Sequence, residues 1–278
     1  MYTSLRSLAG LLLVSGLAKN ALAQTWSDCN PMESDDCKNY PALSMEYDFN
    51  WADPTNATTW DSTGGGVVKY EATGGQFTVA KQKDSPTLTS QWFIHFGRVE
   101  VLMKSARGQG IVSSIVIQSD DLDEIDWELI GGNETHVQTN YFGKAVTAPY
   151  NRALWHPVKE PMDRFVNYTV DWTKEKIDFY VDDEIVRTLM YDECTHEDKG
   201  NIFPQTPAFV RIGVWSGGDL ENNNEYTVEW AGGATDFSQA PFNMEVSHVK
   251  VTDYGTPDTK EYEYGDRSGH FNSIIAHP

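Results

Sequence analysis

Cations are scarce in this 278-residue sequence: Lys and Arg number 21 against 41 Asp and Glu, for a formal net charge of −20. So acidic a surface repels nucleic acid and anionic membranes and argues against partners of either kind. A neutral polysaccharide is indifferent to it. Long apolar runs are missing too. Beyond the first residues no stretch is apolar for the ~18 residues a membrane helix needs, so no membrane span is expected and the mature protein should be soluble. Helical periodicity is scarce, and no repeats or low-complexity linkers divide the chain. With only three cysteines, one must lack a partner within the chain.

The opening residues read as an address. Arg6 supplies positive charge, Leu8 to Leu17 form a short apolar run, and Ala21-Leu22-Ala23 is a small-residue cleavage pattern. This predicts a secretory signal peptide over 1–23, removed before Gln24, with 24–278 as a single domain. Secretion means an oxidising compartment, in which Cys29 and Cys37, close in sequence, are expected to pair. Cys194 is then the odd thiol, with no nucleophile constellation around it in sequence. Sequons at Asn56, Asn133 and Asn167 agree with a secreted, glycosylated surface. The chain stops at His277-Pro278 with neither a Ser/Thr-rich stalk nor an apolar tail, so simple secretion is expected rather than a lipid anchor.

What is abundant is alternation. Short runs of period two recur between Gly, Asn, Asp and Pro: 75–81, 97–104, 110–118, 176–181, 185–190, 209–215 and 243–253. That rhythm predicts an all-β antiparallel sandwich, and Asp182-Asp183 reads as a tight hairpin turn.

One run carries chemistry. In Asp123-Glu124-Ile125-Asp126-Trp127-Glu128, acids at Glu124, Asp126 and Glu128 alternate with Ile125, Trp127 and Leu129. A strand would line three carboxylates along one face and send Trp127 to the core. At ~3.3 Å per residue, Glu124 and Glu128 sit ~13 Å apart at Cα, which leaves inward-leaning carboxyl groups about 5 Å apart. Retaining glycosidases use about 5–5.5 Å and inverting ones about 6.5–9.5 Å. Three like charges so close cannot all ionise cheaply, so at least one should keep its proton, as glycosidic cleavage requires. A calcium loop opened by Asp121 and Asp123 fails, because the Asp-x-Asx-x-Asx-Gly register is not kept. No metal or cofactor is expected.

Other candidates gather around that strand. Aromatic residues make up 12% of the chain, with nine Trp and thirteen Tyr, and sugar rings stack on such side chains. Trp215 before Ser-Gly-Gly and Trp230 before Ala-Gly-Gly sit where strands end beside small residues, which would leave their indoles open to a substrate. If His136 to Asn140 pairs antiparallel with the acidic strand, Gln138 and Asn140 share its face, and Gln118 could join them from another neighbour. Tyr141 and Lys144 follow at the loop end. These residues are candidates for substrate binding.

Glu-Ile-Asp-Trp-Glu resembles the Glu-x-Asp-x-Glu signature of glycoside hydrolase family 16. The stretch Gly110 to Glu128, then Gln138-Thr-Asn-Tyr-Phe-Gly-Lys144, then Trp230-Ala-Gly-Gly233 with Ala240-Pro-Phe242, resembles the fungal Crh-type chitin transglycosylases. The resemblance covers roughly 29–270. It implies a β-jelly roll whose concave sheet forms the cleft, secretion to the cell wall, chitin as donor, and β-glucan or chitin as acceptor. It also implies Glu124 as nucleophile, Glu128 as acid/base and Asp126 as their orienting partner, since the strand alone is symmetric. Related β-1,3(1,4)-glucan hydrolases carry one more residue, Glu-x-Asp-x-x-Glu, which bulges the strand; the regular spacing here favours the transferase branch. A lectin-like binding module is the third reading, disfavoured because a pure binder has no need of a costly carboxylate cluster. A monomer is expected.

Overall fold

The computed structural model describes residues 27–278, so the leader read at 1–23 lies outside the described residues. Where the sequence alternates, strands form with one face buried. In Gly97–Lys104 every second residue is buried and the others are half-exposed. Packing rather than propensity fixes this register, because a slip of one residue would turn Val99, Val101 and Met103 out to solvent.

Two large sheets result. The first has seven strands in the spatial order Leu154–Pro157, His136–Phe142, Glu124–Ile130, Ile111–Ser119, Ala208–Ser216, Thr87–Ser90 and Trp60–Thr63, all antiparallel. The second runs Glu184–Met190, Lys176–Val181, Val166–Trp172, Gly97–Lys104, Phe242–Asp253, Gly74–Val79 and Val67–Glu71, with Glu46–Asn50 paired to Phe242–Asp253. The expected all-β jelly-roll sandwich therefore forms. Among the described residues the α-helical part is Glu225–Trp230, with short 3-10 turns elsewhere.

The sheets meet through aromatic side chains. Trp127 points away from the carboxylates, is fully buried, and packs on Tyr168 and Phe179 of the opposite sheet with ring centroids 5.4 Å away in each case. That contact locks the middle of the acidic strand to the facing sheet, so its other face has a fixed orientation. Val181 and Glu184 pair across the predicted Asp182-Asp183 turn, where Asp182 takes a left-handed φ of 53°. Its carboxylate accepts the Asn167 amide at 3.1 Å and an Arg164 N–H at 2.9 Å.

Cys29 and Cys37 form the expected disulfide, and Cys194 is a buried free thiol. Burial pushes the Cys194 thiol up to about 11, which keeps it protonated and unreactive. Asn133 and Asn167 are half-buried, and Asn56 falls in the 3-10 turn Pro54–Ala57.

Candidate active site

The acidic strand enters from a tight turn. Ser119 donates its N–H to the Asp123 carbonyl at 3.0 Å, while its Oγ accepts the Asp123 amide at 3.0 Å. The Asp123 carboxylate accepts the Gln205 amide at 2.8 Å and the Lys144 amide at 3.0 Å. These bonds pin the strand's start to two loops. From there Glu124–Ile130 pairs with Ile111–Ser119 on one side and His136–Phe142 on the other, with no shift of register on either. The strand is unbroken, so Glu124, Asp126 and Glu128 share one face, and all three line a groove of about 500 Å³.

Strand pairing arranges the groove floor in transverse rows. Phe142, Glu124, Gln118 and Phe209 lie in one row; Asn140, Asp126, Val116 and Arg211 in the next; Gln138, Glu128, Ser114 and Gly213 in the third. Gly213 keeps the floor low: a Cβ there would stand 2.3 Å from Thr87 Oγ1. The walls come from Gly64 and the Lys83–Ser85 loop at one side and Asp219, Asn222 and Asn223 at another. Asp219 braces its own loop, accepting from Asn222 Nδ2 at 2.6 Å and from the Glu221 amide at 3.1 Å.

The three acids are not equivalent. Burial, then the charge of Glu124, pushes the Glu128 carboxyl up to about 8. Burial followed by the charges of Glu124 and Glu128 raises Asp126 well above the usual carboxylate range, and its side chain shares a hydrogen bond with Glu124. Its other oxygen, Oδ1, is buried without a protein partner. At neutral pH Glu128 thus keeps its proton, which supplies a proton donor beside a potential nucleophile, and Asp126 is shifted in the same direction.

The structure distributes the remaining candidates unevenly. Trp215 lines the groove and stacks against Trp230 with ring centroids 6.1 Å apart and planes inclined by 21°. The small residues after Trp215 serve close packing, since a Cβ at Gly217 would come within 2.7 Å of Ala231 Cβ. Trp230 donates its Nε1–H to Gln138 Oε1 at 3.1 Å, so Gln138 positions that indole. Asn140 is half-buried in the Asp126 row, with an unpartnered buried Oδ1. Gln118 is fully buried opposite Glu124, a packing neighbour that does not line the groove.

Two candidates face elsewhere. Tyr141 sits opposite Ile125, on the inner side of the sheet, where it is buried beneath the Arg152 and Arg187 guanidiniums. Strand parity decides this: Gln138 and Asn140 share the carboxylate face of the sheet, so Tyr141 cannot. Lys144 also does not line the groove, and its charge acts on buried Asp121. Arg211 and Ser114 do line it and were not anticipated, although alternation within 110–118 and 209–215 would have placed both on the cleft face. The wall residues Asp219, Asn222 and Asn223 carried no sequence signal, being brought in by a loop.

A family model described as "Glycosyl hydrolases family 16" matches residues 54–232. The chain is 48% identical over 274 residues to Crh-like protein 2 of Botryotinia fuckeliana, covering 98% of this chain and 59% of that protein. It is 48% identical over 267 residues to a Crh-like protein of Arthroderma benhamiae, covering 96% of this chain and 71% of that one. Among solved structures, "Crh5 transglycosylase in complex with NAG" superposes with a TM-score of 0.83 at 43% identity, over 90% of this chain and 100% of that one. A Bacillus licheniformis β-glucanase, at 22% identity and a TM-score of 0.62 over 76% of this chain and 99% of that one, shares the fold.

Proposed function

The chain belongs to glycosyl hydrolases family 16, and from that premise we propose that it is a retaining cell-wall transglycosylase that cleaves chitin and transfers it to β-glucan or chitin acceptors. The observation that carries this is the unbroken strand presenting Glu124, Asp126 and Glu128 to one open groove. Glu124 attacks the anomeric carbon and forms a covalent glycosyl-enzyme, while Glu128 gives its proton to the leaving oxygen. In the second half-reaction Glu128 takes the proton of an acceptor hydroxyl, which attacks the same carbon and releases Glu124. Asp126, hydrogen-bonded to Glu124, orients the carboxylate. Trp215, held face to face with Trp230, offers a surface on which a pyranose ring stacks. Asn140, beside Asp126 on the carboxylate face of the sheet, would bind a sugar hydroxyl.

Secretion after loss of 1–23, glycosylation at Asn56, Asn133 and Asn167, action on the cell wall as a monomer, and a single catalytic domain over 24–278 complete the proposal. A β-1,3(1,4)-glucan hydrolase is the second reading, and the absence of any register shift along the acidic strand favours the transferase. Incubating a chitin oligomer with a labelled glucan oligomer separates the alternatives. A labelled hybrid supports the proposal, chain shortening alone supports hydrolysis, and binding without turnover would reduce the protein to a lectin. Proton NMR of early product should show retained β configuration.

A further inference from the structure

The acidic strand by itself treats Glu124 and Glu128 alike, since each stands two residues from Asp126. We propose that Arg211 breaks this symmetry as a positioning residue for the nucleophile: its guanidinium holds the negative charge of the carboxylate cluster on Glu124. The inference rests on the retaining mechanism above and deepens it by naming a positioning residue.

The direction in which Arg211 leans carries the argument. By register it belongs to the Asp126 row, between the Phe209 row that contains Glu124 and the Gly213 row that contains Glu128. Its guanidinium lies over the Phe209 ring, 5.1 Å from the centroid, and so leans toward the Glu124 row. The carboxylates whose charges act on it are Glu124 and then Asp120. Burial draws the Arg211 pKa down and these two charges oppose that, but an arginine stays protonated through such a change. Its Nε is buried without a protein partner, so that edge of the fork is not consumed in bracing the fold.

Few other charges face Glu124. Its own strand presents Asp126 and Glu128, and the groove walls Asp84, Asp219 and Lys83, while Asp120 in the turn before it bears on Arg211. The paired strands on either side present Phe142, Asn140, Gln118, Val116 and Ser114, none of them charged. Among the described residues that line the groove, Arg211 is therefore the cation of the floor, Lys83 standing on the wall. During glycosylation the Glu124 charge is lost into the ester, and it returns as the acceptor displaces the enzyme. An adjacent fixed cation stabilises that returning carboxylate and keeps it a better leaving group than a neutral site would.

The test is the pH dependence of kcat/KM for chitin-oligomer transfer in Arg211→Met and Arg211→Lys. Loss of the charge should move the acid limb, which reports Glu124, upward by about one pH unit or more, and lower the rate about tenfold at mildly acid pH. Arg211→Lys should return the limb close to its original place, which a purely structural role would not produce. An acid limb unmoved in Arg211→Met, or moved equally in Arg211→Lys, overturns the inference. Independently of how Arg211→Met folds, azide added to Glu124→Ala with an activated donor should yield the α-glycosyl azide, and azide added to Glu128→Ala the β-azide. The reverse pairing overturns the inference while leaving the retaining mechanism intact. Absence of any turnover by the unaltered protein overturns both.

Discussion

Glu128 is the residue at which environment most visibly sets role. Its carboxyl ordinarily titrates at 4.5, and burial beside Glu124 lifts it to about 8. Activity should consequently fall as pH rises through about 8, when the acid loses its proton, and a kcat/KM profile checks this. Stability follows with a definite sign. A carboxyl whose folded pKa is raised contributes fully below its unfolded value, and that contribution is lost as pH climbs toward the folded one. Glu128→Gln should therefore be more stable than the parent at pH 7, on the order of 1–3 kcal/mol, with the difference vanishing near pH 4. Denaturant midpoints at the two pH values measure it. The same substitution, like Glu124→Gln, should cut turnover by about 10³-fold or more while leaving the circular dichroism spectrum unchanged. Near-normal turnover by either variant would remove that residue from the mechanism.

At the scale of the element, the acidic strand does two jobs with its two faces. The outer face carries the carboxylates; the inner face carries Ile125, Trp127 and Leu129, all buried. Trp127→Ala should cost about 3–5 kcal/mol, because it empties a fully enclosed site between Tyr168 and Phe179. Thermal melts report the loss, and activity measured well below the transition should fall less than with either glutamate variant. The helix Glu225–Trp230 works differently, since it delivers one indole to the strand of Gln138. Trp230→Ala should raise KM for long oligomers several-fold and change kcat little, as expected for lost binding that the ground and transition states share. An unchanged KM would place Trp230 outside the substrate path.

For the molecule as a whole, stability rests on the sandwich core and one covalent loop. The Cys29–Cys37 bridge closes a short segment, with a sequence separation of 8, and opening it to serines should cost about 2–3 kcal/mol in unfolding free energy. Catalysis measured below the transition should be spared, because the bridge lines no part of the groove. The net charge of −20 acts at this scale too. It discourages adsorption to polyanions but leaves binding of neutral glycans insensitive to salt, a behaviour that affinity measured across ionic strength would display.

The period-two pattern alone determined that the chain is an antiparallel β-sandwich and that Glu124, Asp126 and Glu128 share a face opposite Trp127, because side-chain direction in a strand depends only on parity. The same rule, applied one residue further, would have sent Tyr141 inward with Ile125. The strand His136–Phe142 stays extended through Phe142, so Tyr141 follows strand parity rather than a loop. Tertiary structure decided what parity cannot see. Which strands lie side by side determines that Arg211, distant in sequence, reaches the Glu124 row. Loop closure brings Asp219, Asn222 and Asn223 to the rim. Burial separates the proton affinities of acids that are chemically alike, since desolvation and charge proximity depend on the assembled surroundings rather than on the local sequence.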